Sequence, residues 1–227
     1  MTSLLINLLP LSIASTIGPG QILFDILLLR APARGTLKAI SFVGGITAVR
    51  LLQGLLFGFI LTGAVMATIG LGQTGVISST LLTVLGIFLL ISAYRQWREG
   101  ESPDASPPKW LTMIDDFSSI KAFLIGCLIV VTSPNLWVFT LSAISMIGEA
   151  QLSQLDSIVA YLLFILVAET LVLVPILIRI AAPAQSTRIL NNMSDWLTQH
   201  NHNLMIGVSL VFGLFFLIKG ISGLLSF

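Results

Sequence analysis

Cysteine is nearly missing from this 227-residue chain, where Cys127 stands alone. One thiol makes neither an internal disulfide nor a dithiol relay. Histidine is almost as scarce: His200 and His202 share one polar segment, so a histidine-built metal site is not expected. Charge is scarce too, with 9% of residues Asp, Glu, Lys or Arg against roughly 25% in soluble domains. Neither sign dominates, since 11 Lys+Arg face 10 Asp+Glu for a net +1. That balance lacks the basic surplus nucleic-acid binding needs, and no nucleic-acid partner is expected.

What is present is apolar. Hydrophobic residues make up 56% of the chain and the mean hydropathy is +1.00. A soluble protein of this composition could not cover its surface with polar groups, so membrane lipid is the expected surrounding. A spanning helix needs about 20 mostly apolar residues. Six stretches qualify: Leu4–Leu29, Leu37–Leu61, Val76–Tyr94, Ile120–Ile147, Ile158–Ile180 and Asn203–Leu225. The opening MTSLLINLLPLSIAS has no basic n-region and its apolar run continues past Gly18-Pro19-Gly20. It reads as a first span rather than a cleaved signal peptide.

The polar connections are Arg30–Lys38, Thr62–Gly75, Arg95–Ser119, Gly148–Ser157 and Arg179–His202. Arg30, Arg34 and Lys38 fall at the first, Arg95, Arg98, Lys109 and Lys121 at the third, and Arg179 and Arg188 at the fifth. The second and fourth have none. Basic residues mark the cytoplasmic side, so both termini are expected outside the cytoplasm. Two cytoplasmic connections carry apolar residues at helical spacing: Trp110, Leu111, Ile114 and Phe117 after Pro108, and Ile189, Met193, Trp196 and Leu197. Each suits a helix lying in the membrane plane or one packed on the bundle.

Spans one and four share an interruption. The first carries Ser15-Thr16-Ile17-Gly18-Pro19-Gly20-Gln21 and the fourth Thr132-Ser133-Pro134-Asn135. Proline removes a donor and clashes with the preceding turn, while glycine permits unwound backbone. Pro19 and Pro134 stand 115 residues apart, half the chain. Three spans per half is an odd number, so the second half enters the membrane in the opposite sense. The expected architecture is therefore all-α and integral to the membrane: two inverted three-helix repeats at 1–97 and 120–227, a cytoplasmic linker at 98–119, and spans one and four broken at mid-membrane. Paired broken spans in two halves point to a transporter's binding site.

Four charges fall inside the spans: Asp25, Arg50, Glu169 and Lys219. A charge at a helix centre costs at least ~2.5–3.5 kcal/mol on insertion scales, so Arg50 and Glu169 should face the interior. Their similar depth in corresponding spans makes an ion pair the structural reading. The functional one gives Arg50 an anionic group to hold and Glu169 a proton to carry. Asp25, just past the first break, joins Glu169 as a candidate for proton coupling, and Lys219 is expected to snorkel. The half-helices after Gly20 and Pro134 would aim their positive N-terminal ends at one site. The substrate-binding candidates are thus Gly18, Pro19, Gly20, Gln21, Arg50, Ser133, Pro134 and Asn135. A few polar groups among aliphatic walls suit a small anionic amphiphile. Gly54 and Gly58, and Gly213 and Gly220, are small-residue pairs for close helix contact, within the chain or in a homodimer.

The chain resembles the lysine exporter superfamily of six-span transporters. The carrying residues are Ile17-Gly18-Pro19-Gly20-Gln21, Arg34-Gly35 and Gly44-Gly45, then Phe123-Leu124-Ile125-Gly126 and Thr132-Ser133-Pro134-Asn135. Within it the chain is similar to the glycolipid- or sulfolipid-addressing (GAP) family, through Asp195-Trp196-Leu197, Asn201, Gly213 and Lys219-Gly220. The resemblance implies a multi-pass inner-membrane protein that exports a lipid or other amphiphile, with the two proline clusters as its central site. Amino-acid exporters of the superfamily usually show a second proline with asparagine or aspartate in the first motif, whereas Gln21 follows Gly20 here. An amino-acid or cation exporter is the alternative, and an accessory to a lipid-export machine another. No enzyme, cofactor or metal is expected: one cysteine excludes a thiol relay, and no His/Ser/Asp cluster shares a depth.

Overall fold

In the computed structural model, the described residues are 2–16, 18–31, 33–59, 74–100 and 118–225. They form α1 (Thr2–Thr16), α2 (Pro19–Arg30), α3 (Gly35–Phe59), α4 (Thr74–Glu99), α5 (Ser119–Thr132), α6 (Pro134–Glu149), α7 (Gln154–Ala168), α8 (Thr170–Ala181) and α9 (Pro183–Leu224). Capping serines start two of them: the Ser118 hydroxyl accepts from the Lys121 N–H, and Ser153 accepts from that of Asp156. Proline occupies the first position of α2, α6 and α9, where its missing N–H leaves nothing unpaired.

Among the described residues, α3, α4 and α9 are long and apolar enough to cross a membrane. Three further pairs are bent in the middle: α1 and α2 by 60°, α5 and α6 by 75°, α7 and α8 by 65°. Counting each bent pair as one span gives up to six. The exposed faces carry the large apolar residues expected against lipid, such as Leu52, Leu55, Leu128, Val131, Leu166, Val211 and Ile218.

Of the two readings of the Ile189–Leu197 helix, the structure supports the one packed on the bundle. That stretch and the last span form one helix, α9, separated from α8 by Ala182 alone. After Pro183 no proline or glycine interrupts the chain until Gly207, so nothing ends the helix. Its 42 residues extend about 63 Å, twice a bilayer core. Leu190 and Leu197 are buried and Met193 packs beside them, so this amphipathic face serves packing. The stretch beginning at Pro108 lies outside the described residues.

Two apolar clusters divide the bundle. One joins α2, the first half of α3, α5, α8 and the first half of α9, around Ile26, Phe42, Ile46, Val130, Val172 and Leu190. The other joins α1, α4, α6, α7 and the second half of α9, around Leu11, Leu85, Phe139, Phe164 and Phe216. Each bent pair places one half-helix in each cluster. Glycines set the close approaches. A Cβ on Gly45 would run into the Phe123 carbonyl, and one on Gly126 into that of Phe42, so α3 and α5 touch backbone to backbone. Farther along, Phe57 of α3 meets Trp137 of α6 edge-on at 5.8 Å. Between α4 and α9, Gly220 abuts Thr83, Gly86 abuts Leu217 and Gly213 abuts Leu90. The numbers rise on one helix as they fall on the other, so these two are antiparallel.

Candidate functional site

The three breaks have different local causes. At the first, Gly18 (φ −121°, ψ 84°) precedes Pro19. At the second, Ser133 (φ −95°, ψ 103°) precedes Pro134. A residue before proline is pushed out of the helical region, so both turns fall where the sequence puts them. The third break was not expected. Glu169 itself is the junction, at φ −102° and ψ −1°, with no proline until Pro175, inside α8. Hydroxyls bond the carbonyls of the turn that precedes the junction. Thr170 bonds the Leu166 carbonyl at 2.9 Å and Thr16, at the end of α1, bonds that of Val167 at 2.6 Å. Side-chain competition of this kind bends helices. The only hint in the sequence is a glutamate and a β-branched hydroxyl in an apolar run.

The breaks lie level with the middle of α3. Arg50 projects from there, 1% exposed, and donates from Nη2 to the Ser15 hydroxyl at 3.1 Å. Its Nε lies 3.8 Å from Oε1 of Glu169, and its guanidinium carbon stands 6.0 Å from the centre of the Phe164 ring. Thr47, one turn earlier, places its hydroxyl 2.6 Å from Oε2 of Glu169. Tyr161 donates to the Arg50 carbonyl at 2.6 Å, reaching the backbone because a side chain at Gly54 would collide with its ring. Arg50 and Glu169 thus face the interior as expected, paired at the junction of the clusters. Thr47 and Tyr161 were missed because hydroxyls at helical spacing look like ordinary membrane residues. Gln53 was missed too, although it is buried on the same helix and neither amide atom has a partner among the described residues.

The other candidates lie elsewhere. A cleft of about 640 Å³ opens between the first two breaks, lined by Gly18, Pro19, Gly20, Gln21 and Ser133 with Phe24, Ile125, Ile129 and Met205. Gln96 of α4 and Asn201 of α9 also reach it, contributions the sequence did not reveal. Among the described residues no charged side chain lines it, Arg50 and Glu169 included. Pro134 and Asn135 form the first turn of α6 and are not among its lining residues. Asp25 is fully buried on α2, and neither of its oxygens has a hydrogen-bond partner among the described residues. It is not joined to the Arg50 cluster by any hydrogen bond. Lys219, at the far end of α9, donates to Asn7 at 3.1 Å. No group of three His, Cys, Asp or Glu side chains among the described residues could hold a metal ion.

A membrane bundle with a buried ion pair beside bent spans admits many functions, and similarity narrows them. The family profile described as Sap, sulfolipid-1-addressing protein, matches residues 8–222. The chain belongs to this family. The match runs from within α1 to near the end of α9. No curated protein and no solved structure matches the chain.

Proposed function

We propose that this member of the sulfolipid-1-addressing family is a secondary transporter, not an enzyme, that exports an anionic amphiphile across the inner membrane. In this reading it is a distant relative of the lysine exporters, with six spans in two inverted repeats and both termini outside the cytoplasm. The antiparallel packing of α4 and α9 supports the repeat, because spans three and six must run oppositely. Every basic residue described, apart from Arg50 and Lys219, sits at the helix ends of one side, which supports the orientation.

The observation that carries the reading is the Arg50–Glu169 pair, 1% and 5% exposed at the side chains, at the meeting point of bent spans. The cleft admits the substrate, its carboxamides and aliphatic walls meeting an uncharged, hydrogen-bonding and partly apolar region. Arg50 takes the anionic group deeper in. Glu169 and that anion compete for one guanidinium, so a proton on Glu169 releases Arg50 and links proton to substrate occupancy. Asp25 is a second proton site on the cytoplasmic side. The partners are the substrate and the surrounding lipid, with a homodimer compatible with the exposed apolar faces.

Purified protein in liposomes, given a fluorescent sulfated lipid and a pH gradient, tests this. Transport should occur without other proteins. Arg50→Ala should weaken binding about ten- to hundredfold, as expected for about 1.5–3 kcal/mol in a charged hydrogen bond. Glu169→Gln should bind the lipid yet ignore the gradient. Transport that appears only with other envelope proteins would make this chain an accessory.

A further inference from the structure

A buried carboxyl that gains and loses a proton needs hydrogen-bond partners in both states, since an orphaned polar group in a low-dielectric interior is costly. Arg50 serves only the ionised state of Glu169. The groups that titrate and face this carboxyl among the described residues are Arg50 of α3 and Tyr161 of α7. From α1 come Ser15 and Thr16, which do not titrate. Tyr161 is committed to the Arg50 carbonyl.

Thr47 has the geometry to serve both states. Its hydroxyl oxygen lies 2.6 Å from Oε2 of Glu169 and 2.9 Å from the carbonyl oxygen of Val43, one turn back on α3. A hydroxyl has one proton and two acceptor positions, so it cannot donate to both oxygens at once. When Glu169 is ionised, Thr47 donates to Oε2. When Oε2 carries a proton, that proton is donated to the Thr47 oxygen, and Thr47 turns its own to Val43. Both arrangements use the same heavy-atom positions.

We propose that Thr47 is the positioning residue of the coupling carboxylate, a hydroxyl rotor that keeps Glu169 hydrogen-bonded whether or not it holds a proton. This rests on the proton-coupling reading above. Glu169 would thus change charge without displacing α3 or the α7–α8 junction, leaving the release of Arg50 as the consequence of protonation. The step is a proton transfer only: a proton delivered from water forms the O–H bond on Oε2 of Glu169, or returns to water as that bond breaks, and the Thr47 hydroxyl rotates.

The test is infrared difference spectroscopy of the full-length protein in phosphatidylcholine nanodiscs between acidic and alkaline pH, paired with liposome transport. A carboxyl C=O band lost in Glu169→Gln reports the protonated state. Thr47→Val should move that band and displace its titration midpoint by about half a pH unit or more, and Thr47→Ser should restore both. In the Glu169→Gln background, Thr47→Val should leave the remaining spectrum unchanged. A Glu169 band that is absent at every pH, or that Thr47→Val leaves in place, overturns the proposal. So does a serine variant behaving like valine. A band that responds as described while wild-type transport ignores the pH gradient retains the rotor and rejects the transport reading instead.

Discussion

Removing one member of the Arg50–Glu169 pair should have unequal consequences, because only one of the two can discard its charge. At 3.8 Å and an effective dielectric constant of about 20, the attraction is about 4 kcal/mol. In Glu169→Gln the guanidinium keeps Ser15 and the Phe164 face but has no countercharge, and arginine stays protonated throughout the accessible range. Wherever Glu169 is ionised in the wild type, the loss should therefore be about 4 kcal/mol, and the variant has no carboxyl through which acid could restore it. In Arg50→Met the stranded carboxylate can take a proton. From a reference value near 4.3, neutralising it costs about 3.7 kcal/mol at pH 7 and about 1 kcal/mol at pH 5. The cost of Arg50→Met is capped at those figures. Stability lost to Arg50→Met should thus largely return as pH falls from 7 to 5, and stability lost to Glu169→Gln should not. Unfolding of each variant and the wild type in mixed micelles, titrated with SDS at both pH values, reads the difference directly. Equal pH response in the two variants would refute the pairing and its burial as the controlling terms.

Gly126→Val should abolish folded protein, because its side chain meets the Phe42 carbonyl and backbone cannot retreat, whereas Gly207→Ala, with open space around it, should be neutral or stabilising by up to about 1 kcal/mol; size-exclusion profiles of the two distinguish them. Gln96→Leu and Asn201→Leu should each lower lipid export about two- to twelvefold, one hydrogen bond's worth, with unchanged thermal stability, and a parallel fall in stability would assign them to packing. In a Cys127→Ala background, cysteines at Gly100 and Ala150 should react with membrane-impermeant maleimide from opposite sides, Ala150 from outside; labelling from one side would overturn the six-span topology.

The sequence announced some of this and concealed the rest for definite reasons. Breaks at Gly18-Pro19 and Ser133-Pro134 were legible because proline constrains its predecessor whatever surrounds it. The inward orientation of Arg50 and Glu169 was legible because hydrocarbon leaves a charge little choice. The break at Glu169 was not, since it depends on Thr16, 151 residues away along the chain, accepting a role that no local pattern encodes. Nor was the separation of cleft from ion pair. Periodicity places residues on a face of their own helix, while bends of 60–75° decide which faces converge. The continuity of α9 was readable from the absence of any breaker between Pro183 and Gly207, yet its polar composition set its first half apart as a helix separate from the last span.

α9 runs through both apolar clusters unbroken, and α3 extends unbroken from the first to lie beside Trp137 and Tyr161 of the second block's helices. They act as a pair of stiff struts between two blocks otherwise joined through the bends between α1 and α2, α5 and α6, and α7 and α8. Struts of fixed length hold the blocks apart, and bends in the other connections would let one block tilt against the other. Motion in such a frame is rocking, and its pivot plane passes through the middle of α3, where Arg50 and Thr47 meet Glu169. Tilting about that plane would carry the ends of α9, a 42-residue rod, farther than any group at the ion pair.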